Sequence, residues 1–291
     1  MFKNSYTTAQ RLRLLRFFSG KNQSELSEIL GVTQGWLSKL ESGEGDLSAR
    51  QCLAIREQFG IPVDAFLDGV IDWLAISQRF SHPVPIPLRF RLGAKSEIRL
   101  VRGLIGFLAE KLGEETVKEE CQRLKFRPEL LASVSVRVNL QLFIDWVGVG
   151  LRHSLLKSAA DWERVAQLTL TPWKTLSAKD VAAGITDDPL KRCRAIVAFG
   201  QQVFGDFQFE IVRPTSNSCG VTIQFPGDAS QYDGSFSEGF TAVPQLFQAW
   251  FQQKGPDSEE IEKIKEGHKI RAEIASVDPI AHVSELRVVW T

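Results

Sequence analysis

The feature that most constrains this chain is a row of short apolar stripes between residues 12 and 67, each closed by a glycine. Leu12, Leu15 and Phe18 recur at three-residue spacing and stop at Gly20. Leu26, Ile29 and Leu30 stop at Gly31, Leu37 and Leu40 at Gly43, and Leu53, Ile55 and Phe59 at Gly60. Apolar residues at helical spacing followed by a residue free to take positive φ mark a helix and its end. Asn22 or Gln23, Thr33 and Ser48 stand where side-chain caps are wanted, and Asp64 opens a last turn through Phe66 and Leu67. Four or five short helices are therefore expected, packed as a bundle.

Two such helices joined by a tight glycine-containing turn make the helix-turn-helix plan. The run Asn22-Gln23-Ser24-Glu25-Leu26-Ser27-Glu28-Ile29-Leu30-Gly31-Val32-Thr33-Gln34-Gly35-Trp36-Leu37-Ser38-Lys39-Leu40-Glu41-Ser42-Gly43 carries it. This run resembles the DNA-binding domain of the lambda Cro and repressor family, also called the xenobiotic-response-element family, and the resemblance extends to Phe66. Small Ser27 fits a close helix crossing, Gly31 the turn, and Leu37 the inward anchor of the second helix. The resemblance implies a phosphate contact from Gln23, and a reading face that includes Thr33, Gln34, Gly35, Ser38 and Lys39. Gln34 has the amide chemistry for adenine, and Lys39 can donate to guanine or phosphate. Trp36 is open to three roles: against sugar-phosphate, against a thymine methyl, or against a partner protein. The resemblance also implies a structural ion pair between Arg16 and Glu41, with neither reading a base.

Three positions depart from the family pattern. Gly35 brings no side chain where relatives often contact a base, Glu44 replaces a frequent Lys or Arg, and Leu47 replaces a frequent Pro. Each lost phosphate contact removes about one unit of salt slope. Charge offers no compensation: the chain has 35 basic and 35 acidic side chains, and residues 1–70 carry eight of each. Any hold on nucleic acid must come from local placement of charge, and a single copy should bind weakly, which makes a homodimer on double-stranded DNA the natural form.

His82-Pro83-Val84-Pro85-Ile86-Pro87 cannot continue a helix and marks a boundary. The expected division is residues 1–69 as the helix-turn-helix domain, 70–93 as a connecting helix and Pro-rich linker, and 94–291 as a sensory or dimerisation domain. In the last part, helical spacing runs from Ala94 through Leu112. It resumes behind Asn139 as a cap, with Leu140, Phe143, Ile144, Val147 and Leu151, and again behind Asp188-Pro189. The period then drops to two in Phe207, Phe209, Ile211 and in Val221, Ile223, Phe225, which predicts a β-hairpin. Leu246, Phe247, Trp250 and Phe251 predict a helix, residues from Ser258 a charged helix, and Ile270–Ile274 and Leu286–Trp290 further strands. The fold class is α+β: an all-α amino-terminal domain before a larger α+β domain. Leu124–Leu140 resembles the effector-binding halves of some arabinose-regulator-type activators, which implies a sensing or dimerising role.

The motifs for chemistry are missing. His82, His153, His268 and His282 are isolated, with no HExxH or Cys/His ligand spacing. Gly148-Val149-Gly150 falls inside an amphipathic helix, not after a strand, and there is no GxxxxGK[ST]. Cys219-Gly220 is the kind of dipeptide cut in self-cleaving repressors, with Ser258 and Lys263 downstream. Yet the nucleophile of those proteins precedes a Met, and the only Met is Met1. Trp73, Trp146, Trp162, Trp173 and Trp250 read as core or interface residues, an aromatic ligand pocket being the other reading. Pro226–Gly239 reads as a surface loop. Cys52, Cys121, Cys193 and Cys219 are scattered with no CxxC, and no leader or membrane span is expected. The expectation is a cytoplasmic transcriptional regulator that is not an enzyme, takes no cofactor or metal, and responds to a small-molecule or protein effector. The competing expectation is an antitoxin or scaffold that uses the same helices for assembly.

Overall fold

The computed structural model describes residues 6–133, 135–170, 188–233, 236–252 and 270–290. Trp173, His268 and the charged helix expected from Ser258, with Lys263 and Lys265, lie outside these residues. The chain forms two compact units. The first comprises residues 1–86 and 125–136, the second 87–124 and 137–291.

In the first unit, α1 (Thr8–Ser19), α2 (Gln23–Leu30), α3 (Gln34–Ser42), α4 (Ala49–Phe59) and α5 (Val63–Asp68) follow one another with Gly20, Gly31, Gly43, Gly60 and Gly69 as left-handed ends. Their starts are set by local chemistry. The Thr7, Asn22, Thr33 and Ser48 side chains each accept the backbone N–H three residues on. Leu12, Leu15, Phe18, Leu26, Leu30, Leu37, Leu40, Ile55, Phe59 and Phe66 meet in one core. Leu53, expected inward, is 46% exposed. The buried face of α4 runs through Cys52, Ile55 and Phe59, a stripe at three- and four-residue spacing that leaves Leu53 on the outer side. Leu67 is exposed as well.

Residues 70–86 complete this core. In α6 (Trp73–Arg79), capped by Asp72, Trp73 stacks on Phe18 with centroids 5.6 Å apart, and beyond it Phe80 tilts against Phe59 at 5.2 Å. A 3₁₀ turn at Pro128–Ala132 packs on α1, and the Arg127 guanidinium lies 5.0 Å from the Phe17 ring.

The second unit is helices against a sheet. Its elements are α7 (Leu88–Arg91), β1 (Ser96–Glu97), α8 (Arg99–Leu112), α9 (Glu114–Arg123), β2 (Arg137–Val138), α10 (Gln141–Arg152), α11 (Ala159–Leu170) and α12 (Pro189–Val203). After these come β3 (Gln208–Val212), β4 (Ser218–Gln224), α13 (Phe236–Gln252), β5 (Ile270–Asp278) and β6 (Val283–Trp290). β1 and β2 form a small antiparallel pair, so the helix expected from Ala94 starts only at Arg99. The main sheet is antiparallel, ordered β3-β4-β6-β5: two hairpins joined through their second strands, with a bulge between Ile274 and Ser276. Alternation puts Cys219, Val221 and Ile223 of β4 with Leu286, Val288 and Trp290 of β6 on the buried side. α13 packs along β5 and β6, and α12 along β3. Fully buried Trp146, Phe107, Phe143, Phe204, Phe207, Phe240, Phe247 and Phe251 fill the interior. Phe209 stacks on Phe247 at 4.5 Å, and Phe143 meets Phe204 edge-on at 5.4 Å. Gly103 lets α8 and α11 cross closely: a Cβ there would lie 2.5 Å from the Val165 carbonyl oxygen.

Asn139, expected as a helix cap, is not one. Its Nδ2 donates to the carbonyls of Arg89 and Leu92, at 2.6 and 3.0 Å, so the side chain ties down the end of α7. The expected loop Pro226–Gly239 is shorter than read, because Phe236 already opens α13. Cys219 is buried in β4, which pairs on both sides, and Gly220 stands opposite Val212 and Arg287. Trp73, Trp146, Trp162 and Trp250 are all buried. Together the two units make an α+β protein.

Candidate nucleic-acid interface

The α2–turn–α3 element is built from backbone bonds that its sequence makes available. Gly31 takes φ 65°, and its N–H reaches the Glu28 carbonyl at 3.0 Å while the Val32 N–H reaches Ser27 at 3.0 Å. These satisfy the last carbonyls of α2 and turn the chain at once into α3. Thr33 Oγ1 accepts the Trp36 N–H at 3.2 Å and opens α3. Ser27 is buried, and its hydroxyl donates to the Ser24 carbonyl, so a small side chain sits at the helix crossing without an orphan polar group.

α3 divides cleanly. Leu37, Leu40 and Glu41 face inward, while Thr33, Gln34, Gly35, Trp36, Ser38 and Lys39 are exposed. The exposed set mixes amide, hydroxyl and ammonium donors over little more than two turns, the chemistry that base edges and phosphates accept. Trp36 is 42% exposed and its ring lies beside Gly45, where an added Cβ would be 3.5 Å from it. Lys39 makes no ion pair among the described residues, so its ammonium is free for a ligand oxygen. Glu44 accepts the Ser42 hydroxyl at 2.9 Å and adds negative charge just past α3.

Behind the exposed face is a polar chain. Arg16 of α1 donates through Nε and Nη2 to both Glu41 oxygens, at 2.6 and 3.0 Å, and Glu41 is only 6% exposed. Gln23 Nε2 donates to the same Glu41 at 3.0 Å, and Gln34 Nε2 reaches Gln23 Oε1 at 3.5 Å. The ion pair, Gln23 and Gln34 are thus one connected network, where the sequence suggests three separate roles.

α1 also carries a buried arginine, Arg11, that no sequence motif marks. Arg11 Nη1 donates to the carbonyls of Phe66 and Leu67 at the end of α5, holding α5 to α1. Carbonyls at a helix C-terminus attract a cation. The only sequence signal for it is an Arg between Gln10 and Leu12 on a largely apolar stripe. Among the described residues no group of His, Cys, Asp and Glu is arranged to hold a metal ion, and no helix is long and apolar enough to cross a membrane.

Residues 19–66, from the end of α1 into α5, match the helix-turn-helix family model. This part of the chain is a DNA-binding helix-turn-helix domain of the Cro and repressor type. No curated protein matches the chain. Among solved structures it is similar to the crystal structure of Fe(II) unliganded H-NOX protein from K. algicida, at 11% identity over 66% of this chain and 95% of that one, with a TM-score of 0.42. A mutant of the same protein matches at 10% identity over the same shares, with a TM-score of 0.41.

Proposed function

We propose that the protein is a sequence-specific transcriptional regulator that binds operator DNA as a homodimer. α3 enters the major groove, with Gln34 and Lys39 on base edges or phosphate and Gln23 on the backbone. Thr33, Gly35, Trp36 and Ser38 line the same contact. Two copies place their α3 helices about one helical turn apart. The second unit dimerises or senses an effector, and the regulator works by ligand-dependent change in the placement of its DNA-binding domains, with no catalytic step. The observation that carries this reading is the exposed donor face of α3, backed by the Arg16–Glu41–Gln23 network. Genome-wide mapping of bound sites, then a mobility shift on a recovered site, tests it. The Gln34→Ala, Lys39→Ala double variant should lose binding by a factor of ten or more, from about 1–3 kcal/mol per base contact. Undiminished binding rejects the face.

The neutral charge of the first seventy residues and the exposed Trp36 favour one second reading, in which α3 is an assembly surface of an antitoxin or scaffold. Retention on nonspecific DNA separates the two. A DNA contact weakens linearly in log affinity against log salt, whereas an assembly surface has no such slope.

A further inference from the structure

The second unit contains a cleft of about 530 Å³, among whose lining residues are Arg89, Lys95, Asn139, Asp206, Phe225 and Tyr232. One side of it is aromatic: the Phe225 and Tyr232 rings meet edge-on with centroids 5.7 Å apart. The polar groups fall into two sets. Asp206, 8% exposed, accepts the Ser96 hydroxyl at Oδ2 at 2.7 Å, and its Oδ1 takes no hydrogen bond among the described residues. Asn139, also 8% exposed, spends Nδ2 on two carbonyls and leaves Oδ1 buried with no partner. Asn139 Oδ1 is shut off from water, whereas Asp206 Oδ1 keeps surface, so the Asp206 oxygen is the acceptor that a donor in the cleft can reach. The second set is a cation. Lys95 is exposed, makes no ion pair among the described residues, and lies near enough to Asp206 to act on its charge. The other charges are already spent: Arg89 pairs with Asp145 at 2.6 Å and Asp233 at 3.4 Å, and Asp228 caps the Ser230 N–H at 2.9 Å.

We propose that this cleft binds a small zwitterion of the free amino-acid class. The ligand's ammonium is held by Asp206, its carboxylate by Lys95, and its side chain by the faces of Phe225 and Tyr232. A simple anion would meet the Asp206 carboxylate, and a simple cation would leave Lys95 facing a like charge. Only a ligand carrying both signs uses both charges. Burial raises the Asp206 carboxyl above its ordinary value and, with Asp206 nearby, pushes the Tyr232 hydroxyl up to about 12, so Tyr232 stays a neutral hydroxyl and an ammonium bound beside Asp206 would draw that carboxyl back toward its charged form. The assignment deepens the sensing role proposed above and rests on that reading only for its consequence at the operator.

The test is calorimetric titration and thermal shift of the full chain with the standard amino acids one at a time. The best binder is followed by its decarboxylated amine and its N-acetyl derivative. At least one amino acid should bind, and removal of either charge should weaken it at least tenfold. Asp206→Asn should weaken binding at least tenfold while leaving the melting temperature of the ligand-free protein equal or higher. Lys95→Ala, at an exposed position, should weaken it with no change in melting temperature. The assignment is overturned if no amino acid binds at about 10 mM, if the amine binds as tightly as its parent, or if either variant binds normally. A mobility shift on the same preparations keeps the two readings apart. A chain that binds an amino acid and no DNA refutes the regulator and leaves the cleft standing, and the reverse result refutes the cleft alone.

Discussion

Glu41 joins α1, α2 and the reading helix: it is buried, takes both donors of Arg16, and also takes the Gln23 amide. Removing Arg16 would leave a nearly buried carboxylate with one neutral donor, so Arg16→Ala should cost about 1–3 kcal/mol of stability in urea unfolding. Glu41→Gln keeps the shape but weakens the hold on Gln23. It should lower operator affinity more than its effect on melting temperature accounts for. Acidic groups elsewhere carry a pH signature. Asp206, which faces Lys95, Tyr232 and Ser96, is raised by burial, as is Asp145 beside Arg89 and Gln141. A carboxyl whose folded pKa exceeds its unfolded value favours folding most when protonated. Its contribution is complete below about pH 3.9 and is lost as pH rises through the folded value. Asp206→Asn removes that falling contribution, so stability should rise more steeply with pH than in the parent, read as melting temperature between pH 3 and 7. Charged pairs distant in sequence were legible only where a family pattern supplied them. Arg16 and Glu41 are such a pair, whereas the bonds from Gln23 to Glu41 and from Arg11 to the α5 carbonyls join positions that no local pattern links.

At the scale of elements, the helices of the first unit were readable because their signals are local. A cap, a stripe and a glycine lie within a dozen residues of each other, and the bonds they make are within the same element. Thr33→Ala, which removes the α3 cap, should cost about 1 kcal/mol in a thermal melt. Leu37→Ala should cost about 2–5 kcal/mol, because Leu37 is fully buried beneath the reading face. The same reasoning failed at Leu53 and Asn139 for identifiable causes. A helix face needs three or four anchors before its phase is certain, and Leu53 offered one position with two competing stripes. Asn139 has cap chemistry, but its amide finds stronger partners in two carbonyls nearly fifty residues earlier. The β1–β2 pair, two residues a side, has no period to detect. The main hairpins were legible because alternation over five to nine residues is a long signal.

At the scale of the whole molecule, sequence punctuation suggested a linear order of domain, linker and domain, with the prolines near residue 85 as the border. The chain instead passes between its units three times, at 86–87, 124–125 and 136–137, because residues 125–136 return to the first. No composition shift announces that return; Leu130 and Leu131 are an ordinary apolar pair until they are found buried at the turn that packs on α1. Expression of residues 1–86 alone should accordingly give a less stable helix-turn-helix than the full chain, with a lower denaturant midpoint. Addition in trans of a peptide spanning 125–136 should raise it. The threading has a wider consequence for how such a protein can be altered. Its reading head cannot be moved onto another carrier by one splice, since part of its own floor is encoded downstream, inside the sequence of the half it would leave behind.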